Sequence, residues 1–475
     1  MIPLNVTDQL FLLMERRQQP MHIGTLMLFS YPDDAGPNYS TEVFDYLRSF
    51  SEPKGPSHLK LVQKWGRYYW GKDYEFDIEH HVRHSALPKP GRIRELLAHV
   101  SAEHSNLMHR ERPLWEIHFI EGIEGGRFAI YMKAHHAVVD GASGNKALQK
   151  FLSEDKNLRG SPPIWAMESE IESTMSREED IGLDVVKAMP QEAMQKVRSL
   201  PTAINNIKKG FVVGAKKENS LFGLNAPKTI LNTRITGSRR YAAQSYDFSR
   251  FRKISSHFNA TINDVVLAVC GSALRQYLIS QNALPEKPLV AMVPVSMREK
   301  DDSITFGNKI AMLQASLGTH IDDAETRMLS IKKSVANAKD KISHMSKEEY
   351  ILYGAMALAP GSFHLATGLF PGWLPCNVMI SNVPGPENAM YWNGAKMEGI
   401  YPISLPIDRA ALNITMMSYN GQIDFGLTAC RRSMPSMQRL LDYIEEALFD
   451  LENIVSPPSC KDSFSSEHDR AVELV

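Results

Sequence analysis

Apolar and polar residues alternate along two neighbouring stretches of the chain, residues 114–121 and 128–134. An alternation with a period of two is typical of a β-strand that has one buried face. Gly125-Gly126 lies between the two stretches and favours a tight turn. The pattern therefore predicts a β-hairpin with one buried face.

After the second of these strands the spacing of apolar residues changes to that of a helix. From Ser143 to Leu152 they recur three and four residues apart, and Ser143 is of a type that caps helix N-termini. We therefore expect a strand, a tight turn at Asp140-Gly141 and a helix that Ser143 caps. The pattern elsewhere predicts a capped helix from Thr7 to about Glu15, strands over residues 21–30, 241–248 and 289–295, and a helix over residues 261–278.

The length of the chain indicates more than one domain. A single hydrophobic core rarely serves 475 residues, so two domains are expected. Residues 161–233 open on Pro162-Pro163 and continue through acidic and helix-like segments that further prolines interrupt. We predict an N-terminal domain over residues 1–160, a helical linker over 161–233, a C-terminal domain over 234–455 and a mobile tail over 456–475.

Charge and cysteine content narrow the classes of function. The formal net charge is −1, with acids and bases mixed along the chain, which gives no extended field to attract nucleic acid. The four cysteines lie far apart and form no C-x-x-C pair, which argues against a disulfide framework or a zinc ribbon. The N-terminus lacks the basic region and cleavage site of a secretory signal. These features predict a cytoplasmic protein that binds no nucleic acid.

The longest stretch without charge runs from Tyr350 to Pro386. It is long enough to span a bilayer, but Pro360, Pro371 and Pro375 would break a spanning helix. We therefore predict no transmembrane segment.

The sequence HHAVVDG at residues 135–141 is the strongest candidate for chemistry. Continued strand alternation would place His136 on one face with Met132 and His135 on the other, so the two imidazoles would not point the same way. Burial in an apolar site favours the neutral, proton-accepting imidazole that a general base requires. These residues alone leave three readings open, namely a catalytic base at His136, a structural histidine pair and a metal site that lacks an obvious third ligand.

Further motifs narrow the choice. RPLW stands at residues 112–115, TINDVVLA at 261–268 and SNVPGP at 381–386. Together with HHAVVDG, they resemble the bacterial wax ester synthase/diacylglycerol acyltransferase family, from PMHIG at residues 20–24 to the helix near Leu440. HHxxxDG by itself is shared across the chloramphenicol acetyltransferase-like superfamily, which includes peptide-synthetase condensation domains.

The resemblance implies a fold and a reaction. The fold class is α/β (α+β), with two chloramphenicol acetyltransferase-like domains, each a mixed sheet flanked by helices, and a tunnel between them. Long-chain acyl groups would pass from acyl-CoA to a fatty alcohol or to diacylglycerol, with His136 as the general base and Asp140 as the structural acid. His135 and Gly141 would have supporting roles. No metal or cofactor is expected, because acyl-CoA is a substrate.

The reaction needs a hydrogen-bond donor for the negative oxygen of its tetrahedral intermediate. Thr261 and Asp264 form a capping-box pattern, which places Asn263 in the first helical turn, where N–H groups and the helix dipole point outward. Asn263 is therefore the candidate donor, and Asp264 is expected to be structural. The alternative is that Asn263 only caps the helix or joins two chain segments.

The substrates add three expectations. Apolar residues between Tyr350 and Pro386 are candidates for an acyl channel or a lipid contact, against the alternative of an ordinary buried helix and strand. Two arginine doublets, at residues 239–240 and 431–432, are candidates for the phosphates of CoA, although solvated charge pairs are commoner. Membrane or lipid-inclusion contact is expected to be peripheral.

Two rival functions stay open on the sequence alone. One is a condensation-type enzyme that requires a carrier protein, and the other is a lipid-binding protein without turnover. The free-standing chain with its PLW and NDVVLA elements disfavours the first, and the intact HHAVVDG disfavours the second.

Overall fold

The computed structural model describes residues 1–4, 6–64, 67–139, 141–167, 225–296, 310–343 and 374–456. The strands are β1 (Ile2–Pro3), β2 (His22–Ser30), β3 (Leu59–Lys64), β4 (Arg67–Lys72), β5 (Val82–Ala86), β6 (Trp115–Ile123), β7 (Arg127–His135), β8 (Arg239–Asp247), β9 (Val290–Ser296), β10 (Ile310–Ser316), β11 (Val378–Val383), β12 (Tyr391–Trp392), β13 (Ala395–Ile403), β14 (Leu412–Tyr419) and β15 (Gln422–Cys430). The helices are α1 (Val6–Met14), α2 (Tyr39–Ser49), α3 (Ile78–His81), α4 (Ile93–Glu103), α5 (Gly141–Phe151), α6 (Phe248–His257), α7 (Ile262–Ser280), α8 (Ala324–Ser343) and α9 (Arg439–Val455).

The N-terminal half is built on a 6-stranded mixed sheet with the order β12-β13-β2-β7-β6-β5. Strands β2, β7 and β6 are antiparallel neighbours, whereas β5 runs parallel to β6. The predicted hairpin is confirmed, because β6 and β7 pair across the turn that contains Gly125 and Gly126. A small 3-stranded sheet, β1-β4-β3, lies beside it in the chain.

The expectation that this hairpin buries one face only is wrong. Phe119 and Ile130 pack into the core on one face, but His118, Tyr131 and Lys133 on the opposite face are also buried. Helix α4 contributes to the apolar cluster that covers this second face. Apolar and polar residues therefore do alternate along the hairpin, but both of its faces are buried. The polar face is covered by elements that lie elsewhere in the sequence.

The C-terminal half is built on a second 6-stranded sheet with the order β10-β9-β11-β14-β15-β8. Strand β11 runs parallel to β9 and β14, and the other pairs are antiparallel. Helix α7 lies at the centre of its core, and α6, α8 and α9 contribute side chains around it. The structure thus contains two mixed sheets flanked by helices, which confirms the predicted fold class.

Element boundaries show where local sequence rules hold and where they do not. Thr261 caps α7 as predicted. Helix α5 begins at Gly141, so Ser143 lies inside its first turn and the prediction that Ser143 is the N-cap is wrong. Most of the predicted linker, residues 168–224, and the predicted tail after residue 456 lie outside the described residues, and the domain boundaries stay predictions.

Two strands from the C-terminal half, β12 and β13, complete the N-terminal sheet. Strand β13 pairs antiparallel with β2, with a register shift between Met397 and Gly399. Directly after this shift, the N–H of Ile400 donates to Oδ2 of Asp424 on β15, at 2.7 Å. The two halves are therefore joined by a shared sheet as well as by packing.

Asp424 gives this junction a pH-dependent stability. Burial raises the pKa of its carboxyl to about 6, from 3.8 for the free group, although hydrogen bonds from Ser245 and Ile400 act in the opposite direction. Because the folded-state pKa is the higher one, the full stability is present below about pH 4 and part of it is lost as the pH rises to about 6. We expect Asp424→Asn, which cannot ionise, to gain about 2 to 3 kcal/mol relative to the parent between these pH values.

Urea unfolding at a series of pH values measures this gain. Asp450→Asn removes an exposed carboxyl and serves as the control, which should show no such pH-dependent difference. A constant difference in stability between Asp424→Asn and the parent across this range would contradict the prediction.

One helix in the described part of the chain, α7, is long and apolar enough to cross a membrane by length and composition. Of its most apolar window, 72% is buried inside the protein. The side chains that give α7 this composition thus form the core of the C-terminal half.

Candidate active site

His136 lies immediately after the end of β7. Its N–H donates to the carbonyl oxygen of Met21 at 2.8 Å, and its imidazole stacks on the ring of Phe11, with centroids 4.2 Å apart and planes 15° apart. The side chain is half-buried. At the strand end, the backbone of His136 is therefore held by a hydrogen bond, and one face of its imidazole is covered by the ring of Phe11.

His135 has different neighbours from His136. It is 1% exposed, and its Nδ1 accepts the N–H of Ala137 at 3.0 Å. Because a backbone N–H can only donate, Nδ1 carries no proton, and in the neutral ring the proton is on Nε2. That nitrogen lies 3.4 Å from Oε1 of Glu15. His135 therefore holds the turn that carries His136, and its supporting role in catalysis stays a prediction.

Glu15 lies just after α1 and contacts both Met21, which binds the backbone of His136, and His135, which precedes it. Its carboxylate accepts two hydrogen bonds from Arg110, at 2.9 and 3.0 Å, and one from the N–H of Met21 at 3.4 Å. Met21 in turn accepts the N–H of His136. Burial by itself would raise the pKa of Glu15, but His135 and Arg110 outweigh that effect and lower the pKa to about 2.

Sequence reasoning missed Glu15 as a functional residue and used it only to end the first helix. The signal available was a carboxylate that directly follows the apolar run from Leu10 to Met14. A charged residue at the end of such a run is usually solvated, so only the contacts with Arg110 and His135 identify its role.

The surroundings of Phe11 and His136 are apolar. Phe11 and Ala137 belong to one buried cluster, with Ile407 contributed by the C-terminal half. Met379 on β11 packs against the same cluster, whereas its neighbours Val378 and Ile380 face the C-terminal core. The described end of the charge-free stretch therefore supplies a strand of the C-terminal core and, through Cys376 and Met379, part of the apolar cluster that contains Phe11. Residues 344–373 lie outside the described residues.

Asp140 lies outside the described residues, so its expected structural role stays a prediction. Gly141 is the first residue of α5. Farther along this helix, Nδ2 of Asn145 donates to the carbonyl oxygen of Pro384 at 2.6 Å. The HHAVVDG segment and the SNVPGP segment, far apart in sequence, are thus held together through α5.

Asn263 occupies the first turn of α7. The capping box is present, with Asp264 N–H donating to Thr261 Oγ1 at 3.2 Å and Thr261 N–H donating to Asp264 Oδ2 at 2.9 Å. Asp264 is buried and committed to this cap. Asn263 is half-buried, and in the described part of the chain no hydrogen bond holds its side chain or joins it to His136.

The other candidate positions have structural partners. Trp115 of the RPLW segment donates to the carbonyl oxygen of Ser57 at 2.7 Å and stacks on Trp165. Arg239 is 4% exposed and donates to the carbonyl oxygen of Gln18 at 2.8 Å. It is thus neither a solvated charge nor a free phosphate ligand.

A buried polar layer supports β7 from beneath. Nζ of Lys133 donates to the carbonyl oxygens of Glu103 and Asn106 and lies 3.4 Å from Glu116. Burial lowers the pKa of Lys133, with Glu116 acting against that shift. Burial also lowers the pKa of His104 well below its usual value. The layer thus holds the strand that ends at His135.

The alternative in which the two histidines are part of a metal site stays untested at Asp140, which lies outside the described residues. Across the described ranges, no three His, Cys, Asp or Glu side chains are grouped as metal ligands. What the geometry offers chemically is one half-buried imidazole beside an apolar cluster, which can accept a proton from a hydroxyl group.

Known proteins resemble this chain over nearly its whole length. The family described as "Wax ester synthase/diacylglycerol acyltransferase catalytic domain" matches residues 4–266, and "WS/DGAT C-terminal domain" matches residues 306–452. The chain is 43% identical to "O-acyltransferase WSD" of Acinetobacter baylyi, over 96% of this chain and 98% of that protein. It is 38% identical to "Probable diacyglycerol O-acyltransferase tgs2" of Mycobacterium tuberculosis, over 94% and 98% of the two chains.

Solved structures agree with these matches. The wax ester synthase/diacylglycerol acyltransferase from Marinobacter aquaeolei VT8 superposes with a TM-score of 0.75 at 44% identity, covering 95% of this chain and 99% of that one. The first condensation domain of the CDA synthetase has a TM-score of 0.58 at 13% identity, covering 96% of each chain. The latter likeness shows the fold alone.

Proposed function

The chain belongs to the wax ester synthase/diacylglycerol acyltransferase family, and we propose that His136 is the general base with which it transfers a long-chain acyl group from acyl-CoA to an alcohol. Membership of the family establishes acyl transfer to an alcohol or diacylglycerol and disfavours the carrier-dependent and non-catalytic alternatives. The observation that carries the assignment of the base is the half-buried His136 imidazole, stacked on Phe11 beside an apolar cluster.

The proposed reaction proceeds in a ternary complex. His136 takes the proton of the acceptor hydroxyl while the oxygen attacks the thioester carbonyl, and a tetrahedral intermediate forms. The C–S bond then breaks, the ester is released, and the CoA thiolate takes the proton from the imidazolium. Because a thiol has a pKa of about 8.5, it leaves readily and no covalent acyl-enzyme is required.

Asn263 is proposed as a donor to the negative oxygen of the intermediate. Its position in the first turn of α7 places it where N–H groups and the helix dipole favour negative charge. Its half-buried side chain, with no hydrogen bond among the described residues, supports this role. Asp140 and Gly141 are proposed to shape the turn into α5, and no cofactor or metal is assigned.

The apolar cluster that contains Phe11 and Ile407, with Met379 against it, is proposed to accommodate part of the acyl chain. The acceptors are lipids, so we place the protein in the cytoplasm with peripheral contact to a membrane or a lipid inclusion. Three cysteines, Cys270, Cys376 and Cys430, are free thiols in the described structure, which is consistent with a reducing compartment.

Thiol release from palmitoyl-CoA tests the reaction and ranks the acceptors. We expect the purified protein to release CoA thiol when hexadecanol or dioleoylglycerol is present, with about one ester formed per thiol, and only slowly without an acceptor. The ratio of kcat/KM for the two acceptors measures the preference. Release that is equally fast without acceptor, and yields free fatty acid, would contradict acyl transfer to an alcohol.

A further inference from the structure

Four surface segments of the protein are joined to one another by hydrogen bonds and are rich in arginine. Between them they carry two acidic residues, Glu15, which is committed to Arg110, and Asp408. The segments are residues 15–19, 233–238, 407–410 and 430–433. Their exposed arginines, here called the arginine patch, are Arg16, Arg17, Arg234, Arg409, Arg431 and Arg432.

Hydrogen bonds between the segments bring these arginines together. The N–H of Asp408 donates to Oε1 of Gln19 at 2.7 Å, and the N–H of Ile235 donates to Oδ1 of Asp408 at 3.2 Å. The N–H of Arg431 donates to the carbonyl oxygen of Ser238 at 3.1 Å. Asp408, the one of the two acids that is not bound to Arg110, therefore accepts a backbone N–H and forms no ion pair with an arginine of the described residues.

Two of the segments are tight turns with arginine at the tip. Arg16 and Gln19 exchange backbone hydrogen bonds of 3.1 and 2.8 Å, as do Ile407 and Ala410 at 3.2 and 2.9 Å. Arg409 has a φ of 67° at the second tip. Such turns project their side chains into solvent.

None of the six arginines forms an ion pair within the described part of the chain. Other exposed arginines do so, for example Arg83 with Glu116 and Arg159 with Asp34. On a chain with a net charge of −1, six arginines without an ion pair among the described residues form a local basic surface that favours an anionic partner.

The patch adjoins the candidate active site. Ile407 and Ala410, which form the base of one turn, belong to the same apolar cluster as Phe11, the ring on which His136 stacks. Leu13, in the last turn of α1 and three residues before Arg16, is 70% exposed. The surface therefore combines arginines with a protruding apolar side chain, close to the candidate base.

We propose that the arginine patch docks the protein on the phosphate groups of an anionic lipid surface, and so places His136 next to the membrane that holds the alcohol. The reason for such docking rests on the proposed function, but the binding itself can be measured whether or not the protein has that function. Clusters of four to eight basic residues with apolar neighbours are the type of surface that binds anionic headgroups. A pocket for a small phosphate ligand would be concave and would bury its polar groups, whereas all six guanidinium groups lie on exposed residues of loops.

Vesicle sedimentation with the full chain tests the proposal. The parent should bind vesicles of equal parts phosphatidylcholine and phosphatidylglycerol, bind pure phosphatidylcholine much less, and dissociate at about 1 M salt, where charges are screened within about 3 Å. The variant Arg16→Glu/Arg17→Glu/Arg409→Glu should bind the anionic vesicles at least about tenfold more weakly. The control Arg94→Glu/Lys253→Glu/Lys287→Glu makes the same charge change at exposed positions elsewhere and should bind as the parent does.

A vesicle-free assay separates this proposal from the proposed function. With palmitoyl-CoA and dissolved hexanol, the patch variant should release thiol at the rate of the parent, whereas with dioleoylglycerol in anionic vesicles its rate should fall. If the parent releases no thiol at all, the proposed function fails and the sedimentation result still decides the docking. Unchanged vesicle binding by the patch variant would overturn the proposal. If the KM of this variant for palmitoyl-CoA were raised while its vesicle binding stayed unchanged, the patch would be assigned to CoA.

Discussion

Replacing His136 by alanine should reduce alcohol-dependent thiol release by about 10³-fold, because general base catalysis contributes about 10²- to 10⁴-fold. The variant loses the only imidazole that the described structure places half-buried beside the Phe11 cluster. Since His136 is held to the fold through its backbone N–H, truncation of its side chain leaves that hydrogen bond intact. The loss should appear in kcat, measured with saturating palmitoyl-CoA and hexadecanol.

Two variants show whether such a loss belongs to His136 itself. His109→Ala removes an exposed histidine and should keep the activity of the parent. The urea-unfolding midpoint of His136→Ala should stay close to that of the parent, because the histidine is only half-buried. A folded His136→Ala enzyme with more than about a tenth of the parental kcat would remove His136 from the role of base.

Replacing Glu15 by glutamine should lower kcat by about 100-fold while the KM for palmitoyl-CoA changes little. Glu15 makes no proposed contact with substrate. It binds Arg110, Met21 and His135, and the last two of these fix the backbone around His136. An amide of the same shape loses the negative charge that these donors share. A displacement of a catalytic group by about 1 Å can cost about 10²-fold in rate, and an effect on position appears in kcat rather than in KM.

The pH dependence of stability distinguishes the charge of Glu15 from its shape. Its pKa is lowered from 4.5 to about 2, so its contribution to stability is present above about pH 4.5 and is lost as the pH falls towards 2. The difference in unfolding free energy between the parent and Glu15→Gln should therefore shrink over this range. Glu79→Gln removes an exposed carboxylate that pairs with Arg48 and should affect neither kcat nor this difference. A kcat of Glu15→Gln within twofold of the parent would mean that Glu15 does not position His136.

Part of the candidate site follows directly from the sequence. HHAVVDG identified the strand end and His136, and the Thr261–Asp264 capping box, with Asn263 in the first turn of α7, is present as expected. The roles of His136, Asp140 and Asn263 in catalysis stay predictions. Glu15 could not be assigned, because its partner Arg110 lies 95 residues away in the chain and nothing local distinguishes it from a solvated carboxylate.

The sequence by itself determined the features that depend on neighbours within a few residues, namely the period of β6 and β7, the cap of α7 and the family motifs. Only the tertiary structure decided which elements cover each face. It buried His118 and Lys133 on the polar side of the hairpin, inserted β13 into the N-terminal sheet, and gathered six arginines from four segments into one patch. Periodicity and capping arise from backbone geometry and short-range hydrogen bonds, whereas burial, strand exchange and charge clustering depend on contacts between residues that the chain itself keeps far apart.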